Sequence, residues 1–148
     1  NSRFDAISRT YQYHIIIKKD PFRNNAYLFH KELDLKAMNQ ACQHILGVHD
    51  FTSFSKVNTQ TYTNTCEVYY AKWKIFKNEL IFTIEANRFL RNMVRAIVGT
   101  MIDVGVRKLL SEDLVKIIDA KDRCKSGTSV PAKGLFLYKV KYTDNLKI

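Results

Sequence analysis

Along residues 11–18 the side chains alternate, Tyr11, Tyr13, Ile15 and Ile17 standing against Gln12, His14, Ile16 and Lys18. The aromatic and β-branched content predicts a strand, which Asp20-Pro21 breaks. The period then changes. Leu35, Met38, Cys42, Ile45 and Leu46 recur at helical spacing, with Asp34 placed as N-cap and Gly47 as the stop. Residues 66–75 and 80–85 read as strands of a hairpin joined through Lys77-Asn78-Glu79. Residues 89–104 form the strongest helical pattern, closed by Gly105, and Ser111 is expected to cap a third helix carrying Leu114, Ile117 and Ile118. A last strand is expected over Leu135–Tyr142, with Phe136, Tyr138, Val140 and Tyr142 on one face and Leu137, Lys139 and Lys141 on the other.

Strands and helices that do not strictly alternate predict an α+β fold, a mostly antiparallel sheet backed by helices. There is no internal repeat and no low-complexity segment. The polar stretches 56–65 and 121–133 are long enough to be functional surfaces.

Charge narrows the partners. The chain has 148 residues, enough for one domain, and 24 Lys and Arg against 14 Asp and Glu give a net charge of +10. That excess favours a polyanion, since each phosphate neutralised releases counterions. No apolar run approaches the ~18–20 residues that span a bilayer. The opening Asn1-Ser2-Arg3-Phe4-Asp5 has neither a signal-peptide core nor an initiator Met, so the chain is expected to be a piece cut from a longer protein. Cys42, Cys66 and Cys124 lie far apart, and no His pair completes a metal set. Reduced thiols of a cytosolic protein are expected, and metal catalysis is disfavoured.

On a helix over 89–104 begun at Arg88, residues Arg88, Arg91 and Arg95 share a face, which Gly99 continues as a place where another backbone can approach. Leu90, Met93, Val94, Ile97 and Met101 supply the opposite, core side. Arg95 borders Val98 and Ile102, so its charge is partly buried and calls for an anionic partner. A solvated arginine face accounts for the same spacing. Tyr11 and Tyr13, following Arg9, can stack on an unstacked base or simply fill the core. His49 and Asp50 are adjacent on an extended chain and point apart, a poor acid–base pair, and Asp50 is better placed to cap the turn into Phe51-Thr52-Ser53-Phe54. No Gly-rich phosphate loop and no nucleophile elbow is present.

Arg88-Phe89-Leu90-Arg91-Asn92-Met93-Val94-Arg95-Ala96-Ile97-Val98-Gly99 resembles the signature helix of the TruA family of tRNA pseudouridine synthases. Arg3-Phe4-Asp5-Ala6 leading to Arg9-Thr10-Tyr11-Gln12-Tyr13, Gly47-Val48-His49-Asp50-Phe51-Thr52-Ser53-Phe54 and Ala132-Lys133-Gly134-Leu135-Phe136-Leu137 resemble three further family segments, in the same order. The resemblance implies a cytoplasmic, homodimeric enzyme that isomerises uridine to pseudouridine in the anticodon stem-loop of tRNA without metal or cofactor. It makes residues 1–148 the C-terminal domain. The family's nucleophilic aspartate sits in an Arg-Thr-Asp segment of an N-terminal half that this chain lacks, so the chain is expected to be inactive alone.

Carried over by position, Tyr11 packs against the target base, Arg95 pairs with that aspartate, and Leu135 lines the uracil pocket. Arg3, Arg9, Arg88 and Arg91 become candidates for RNA phosphates. Where the family often has a basic residue before its hairpin, this chain runs Thr61-Tyr62-Thr63-Asn64-Thr65-Cys66. Two other functions remain open, a stand-alone RNA-binding module and a protein-interaction domain.

Overall fold

The computed structural model describes residues 5–56 and 63–143. The strands are β1 (Ala6–Ile16), β2 (Tyr27–Leu28), β3 (Gly47–Asp50), β4 (Thr65–Phe76), β5 (Glu79–Ala86) and β6 (Leu135–Tyr142). The helices are α1 (Leu35–Ile45), α2 (Met93–Gly105) and α3 (Asp113–Ala120). In the sheet, β3, β4, β5 and β1 lie side by side, and the outer edge of β1 is shared by β6 and the short β2. Among the described residues only the β1–β2 pairing is parallel. The expected α+β fold with a mostly antiparallel sheet is what forms.

One face of that sheet carries Tyr13 and Ile15 from β1, Leu80, Phe82 and Ile84 from β5, and Ala71 and Trp73 from β4. α1 and α2 cover it, with Met38, Ala41, Cys42 and Ile45 from one and Met93, Ile97 and Met101 from the other. Burying side chains of this size stabilises by ~1.5–3 kcal/mol each. The period of two in the strands and of 3.6 in the helices therefore meet in one core. The other face of the sheet is polar. There His14 pairs with Glu79, Arg23 grips the same carboxylate at 2.8 and 3.0 Å, and Lys141 stands 3.5 Å from Glu85.

α1 starts where expected, because the Asp34 carboxylate accepts the Ala37 amide at 3.0 Å. Its last helical residue is Ile45, and Gly47, at φ +93°, opens β3 instead of closing the helix. The hairpin turns tightly on Lys77-Asn78, with Lys77 at φ 58° and Glu79 already in β5.

Further expectations need correction. β1 runs from Ala6 to Ile16, not over 11–18, because β6 extends the pairing to Ala6 opposite Tyr142. The alternation expected in β6 breaks at Tyr138. Tyr11 opposes Leu137 while Thr10 opposes Lys139, so Tyr138 is extra. Beyond that bulge Lys141 joins Phe136 on the polar face, against Glu85 and His14 respectively. Ser111 does not cap α3 with its side chain. The Asp113 carboxylate takes the Leu110 amide, and the Ser111 carbonyl accepts from Leu114.

The largest correction concerns α2, which begins at Met93 rather than Phe89. Asn92 adopts the left-handed conformation at φ 71°, and the Arg91 carbonyl accepts the Lys56 amide at 3.0 Å. A continuing helix would have needed that carbonyl for the Arg95 amide. Arg88 and Arg91 therefore precede the helix and share no helical face with Arg95.

Candidate functional site

An open cavity of about 630 Å³ lies between the start of α2, strand β1 and the approach to β6. Tyr11, Phe89, Arg91, Arg95 and Leu135 line it, with Lys56, Asn92 and Ala132 among their neighbours. Tyr11 reaches it because residues 11, 13 and 15 of β1 face the helices, and Tyr11, unlike the buried Tyr13 and Ile15, is only half-buried. Its ring meets Phe89 edge to face, with centroids 5.0 Å apart. Leu135 opens β6 opposite Tyr13. The turn before it, Ala132–Gly134, lies so close to β1 that a Cβ on Gly134 would come within 2.8 Å of the His14 carbonyl oxygen and of the Tyr13 ring.

Arg95 projects from the first turns of α2 and is half-buried. Its Nε donates to the Val130 carbonyl at 2.8 Å, and the Val130 amide returns a bond to the Arg95 carbonyl at 3.2 Å. Among the described residues no carboxylate pairs with Arg95, and its terminal nitrogens make no hydrogen bond. The guanidinium is thus held by one N–H and presents the remaining fork. Among the described residues no carboxylate lines the cavity, whereas Lys56, Arg91 and Arg95 all do.

The wall behind the site is firmly bonded. Tyr13, fully buried, donates its hydroxyl to the Pro131 carbonyl at 2.5 Å. Burial holds its phenol well above the ordinary range, the Tyr27 hydroxyl adds to this and Arg95 opposes it, so Tyr13 is a neutral donor at physiological pH. Residues 126–130 cross α2 at Gly99, where a Cβ would stand 1.8 Å from the Thr128 carbonyl oxygen. The close backbone approach expected at Gly99 is what occurs.

Of the residues singled out in the sequence, Tyr11, Arg91, Arg95 and Leu135 come together at this cavity. Arg88 does not line it. Its guanidinium donates to the Thr63 and Thr65 carbonyls at 2.9 and 3.0 Å, tying α2's approach to the start of β4. Arg9 lies in β1 between Ala86 and Val140, also outside the lining. Arg3 lies outside the described residues, as do Thr61 and Tyr62 of the loop before the hairpin. Asp50 accepts from the Thr52 amide and hydroxyl, the capping role expected of it, and His49 turns back to the Leu46 carbonyl at 2.7 Å.

Sequence reasoning missed Phe89, Asn92 and Lys56 as site residues. The Asn92 signal was available, because asparagine tolerates the left-handed region better than most residues. Lys56 carried no local signal, and its amide bond to the Arg91 carbonyl ties it to the site. Among the described residues no cluster of His, Cys, Asp and Glu is placed to hold a metal ion, and no helix is long and apolar enough to cross a membrane.

Residues 41–143 match the family model described as tRNA pseudouridine synthase. The chain is 50% identical over 147 residues to the tRNA pseudouridine synthase A of Parabacteroides distasonis, covering 99% of this chain and 58% of that protein. The protein of the same name in Bacteroides fragilis is 47% identical over 148 residues, with 99% and 59% covered. The Bacillus subtilis one is 35% identical over 148 residues, with 98% and 60% covered. The chain therefore spans somewhat under two thirds of the length of these curated relatives.

Proposed function

Because this chain belongs to the tRNA pseudouridine synthase family, we propose that the full-length protein isomerises uridine to pseudouridine in the anticodon stem-loop of tRNA. Residues 1–148 act as its C-terminal domain, supplying one wall of the uracil pocket and part of the RNA surface. The nucleophilic aspartate comes from an N-terminal half outside this sequence, so the chain alone is inactive. In the reaction the bond from uracil N1 to the ribose C1′ breaks, the base turns, and C5 joins C1′. A proton leaves C5 and one is gained at N1, so the product is an isomer and no metal or cofactor is required.

The observation that carries this reading is the company kept by Arg95. It shares one cavity with Tyr11 and Leu135, and its Nε is taken while the rest of its fork meets no carboxylate among the described residues. An aspartate delivered there would accept the remaining donors, and the cation would hold it ionised for attack. A uridine turned out of its stack would lie between the Tyr11 ring and Leu135, its unstacking offset by phosphate contacts. Arg91 on the exposed rim is well placed for such a contact. Arg9 and Arg88 serve the RNA outside the cavity, Arg88 less directly, since two carbonyls already hold it, and Arg3 is a further candidate for a phosphate. The net charge of +10 supports attraction of a polyanion from a distance. The full-length enzyme works in the cytoplasm as a homodimer, without membrane attachment.

Pseudouridine formation in an unmodified tRNA transcript tests the reading. The full-length protein should be active and the 148-residue chain inactive. Arg95→Ala in the full-length protein should abolish turnover while leaving tRNA affinity within a few-fold. Wild-type turnover in that variant would refute the assignment. An inactive full-length protein that still binds tRNA would favour a module that only holds RNA.

A further inference from the structure

Arg123 is a cation with an unusual set of partners. It is half-buried and, among the described residues, pairs with no carboxylate. Its NH1 donates to the Ser126 hydroxyl at 2.6 Å and the Gly127 carbonyl at 2.9 Å, and its NH2 donates to the Ser129 hydroxyl at 2.9 Å. Ser129 Oγ also accepts from Asn92 Nδ2 at 2.6 Å. One hydroxyl oxygen thus takes a donor from the left-handed turn that opens α2 and another from the 3₁₀ turn Arg123–Lys125.

The next residue is Val130, whose carbonyl holds Arg95 Nε and whose amide bonds the Arg95 carbonyl. Further back along the same segment, the Gly127 amide donates to Thr100 Oγ1 at 2.8 Å. Ser126 Oγ reaches the Ser53 carbonyl at 2.6 Å, anchoring the base of the loop to the Thr52–Phe54 turn. Closing a loop over a helix needs no charge, and neutral donors suffice. A guanidinium gripping three oxygens in fixed directions defines the path of residues 126–130 in a way a flexible side chain cannot.

We infer that Arg123, acting through Ser129, is a positioning residue that sets the direction of the Arg95 guanidinium in the cavity. This rests on the reading of Arg95 given above. Freed from Arg123 and Asn92, Ser129 and Val130 can shift. Arg95 Nε then follows its carbonyl partner, and the fork that should meet the aspartate points elsewhere. Displacements of about 1 Å in such an arrangement cost roughly 100-fold in rate, with little effect on substrate binding.

The test uses the full-length enzyme and an unmodified tRNA transcript, with kcat, KM and tRNA affinity measured separately. Arg123→Ala should lower kcat by roughly 10- to 100-fold and change KM and tRNA affinity by less than about threefold. Arg123→Lys should fail to restore kcat, because one ammonium cannot address all three acceptors in those directions. Ser129→Ala should lower kcat in the same sense, and the Arg123→Ala/Ser129→Ala pair should lose clearly less than the two single losses added as free energies, since the Arg123–Ser129 bond is removed by both. A full kcat in Arg123→Ala, a loss confined to KM, rescue by lysine, or additive losses would each overturn the inference.

Should Arg123→Ala fail to fold, Ser129→Ala decides alone, and a kcat within about twofold of wild type overturns the proposal. Arg95→Ala serves as the control. An active Arg95→Ala enzyme means that the reading of the cavity has failed. An inactive Arg95→Ala enzyme beside a fully active Arg123→Ala enzyme means that only the positioning role has failed.

Discussion

Replacing Gly99 by alanine sets two physical effects against each other. In a helix interior, glycine is about 1 kcal/mol worse than alanine, so propensity alone predicts that Gly99→Ala stabilises. The tertiary structure predicts the reverse. The new Cβ would stand 1.8 Å from the Thr128 carbonyl oxygen and 2.9 Å from its carbon, both backbone atoms with no rotamer to escape into. The segment must retreat by more than about 1 Å before carbon and oxygen reach ordinary contact.

That retreat breaks what ties the segment to α2. The bonds lost are the Val130 amide to the Arg95 carbonyl, the Gly127 amide to Thr100 Oγ1, and Arg95 Nε to the Val130 carbonyl. Two neutral bonds contribute about 1 kcal/mol each, and one from a charged donor about 1.5–3 kcal/mol. After subtracting the propensity gain, a destabilisation of about 3 kcal/mol remains. For a chain of this size that corresponds to a fall in Tm of roughly 10 °C. Urea unfolding of wild type and variant measures it directly. A variant as stable as wild type, or more stable, would show that the segment yields freely and that the close approach at Gly99 does not hold the site.

Other outcomes follow from the same contacts. Asn92→Ala should destabilise by about 2 kcal/mol, combining the left-handed penalty with the lost bond to Ser129, while Asn92→Gly should cost less because it relieves the backbone part; equal costs in urea unfolding would rule out backbone strain as the cause. The Glu79 carboxyl is held down to about 2, first by the Arg23 hydrogen bonds and then by His14, against about 4.5 when unperturbed. Its contribution to stability is therefore complete above pH 4.5 and lost as pH falls from 4.5 toward 2, and Glu79→Gln should flatten stability over that window in acid titrations of the unfolding transition. Burial pushes the Cys42 thiol up to about 12 and raises Cys66 as well, whereas Cys124 is exposed. Iodoacetamide at neutral pH should label Cys124 in the folded protein and reach Cys42 and Cys66 only after unfolding, as mass spectrometry would show.

Much of this architecture was legible in the chain. β6 has the bounds its residues suggest, Asp34 caps α1, and the two hairpin strands lie within a residue or so of their expected limits. These elements are set by local rules: side-chain period, a carboxylate ahead of an apolar stripe, and a polar turn between β-branched runs. The start of α2 was not legible. Phe89 and Leu90 satisfy a helical period and also pack well in a turn, and the local signal, an asparagine at position 92 that tolerates φ 71°, permits a break without requiring one. What decides is remote, because the Lys56 amide takes the Arg91 carbonyl. The expected arginine face of Arg88, Arg91 and Arg95 dissolves for that reason.

The candidate site divides along the same line. By itself the sequence determined which residue types were available: an aromatic ring at Tyr11, a cation at the margin of an apolar helix at Arg95, a missing side chain at Gly99, and the motifs that resemble a family. Only tertiary structure decided that Tyr11, Arg95 and Leu135, far apart along the chain, line one cavity, and that Val130 holds Arg95 by its Nε. It also turned Arg88 to two carbonyls and gave Ser129 to Arg123 and Asn92 together. The reason is physical. Side-chain period and capping act over one or two turns of chain, whereas the direction of a long charged side chain depends on whichever acceptor the folded backbone brings beside it.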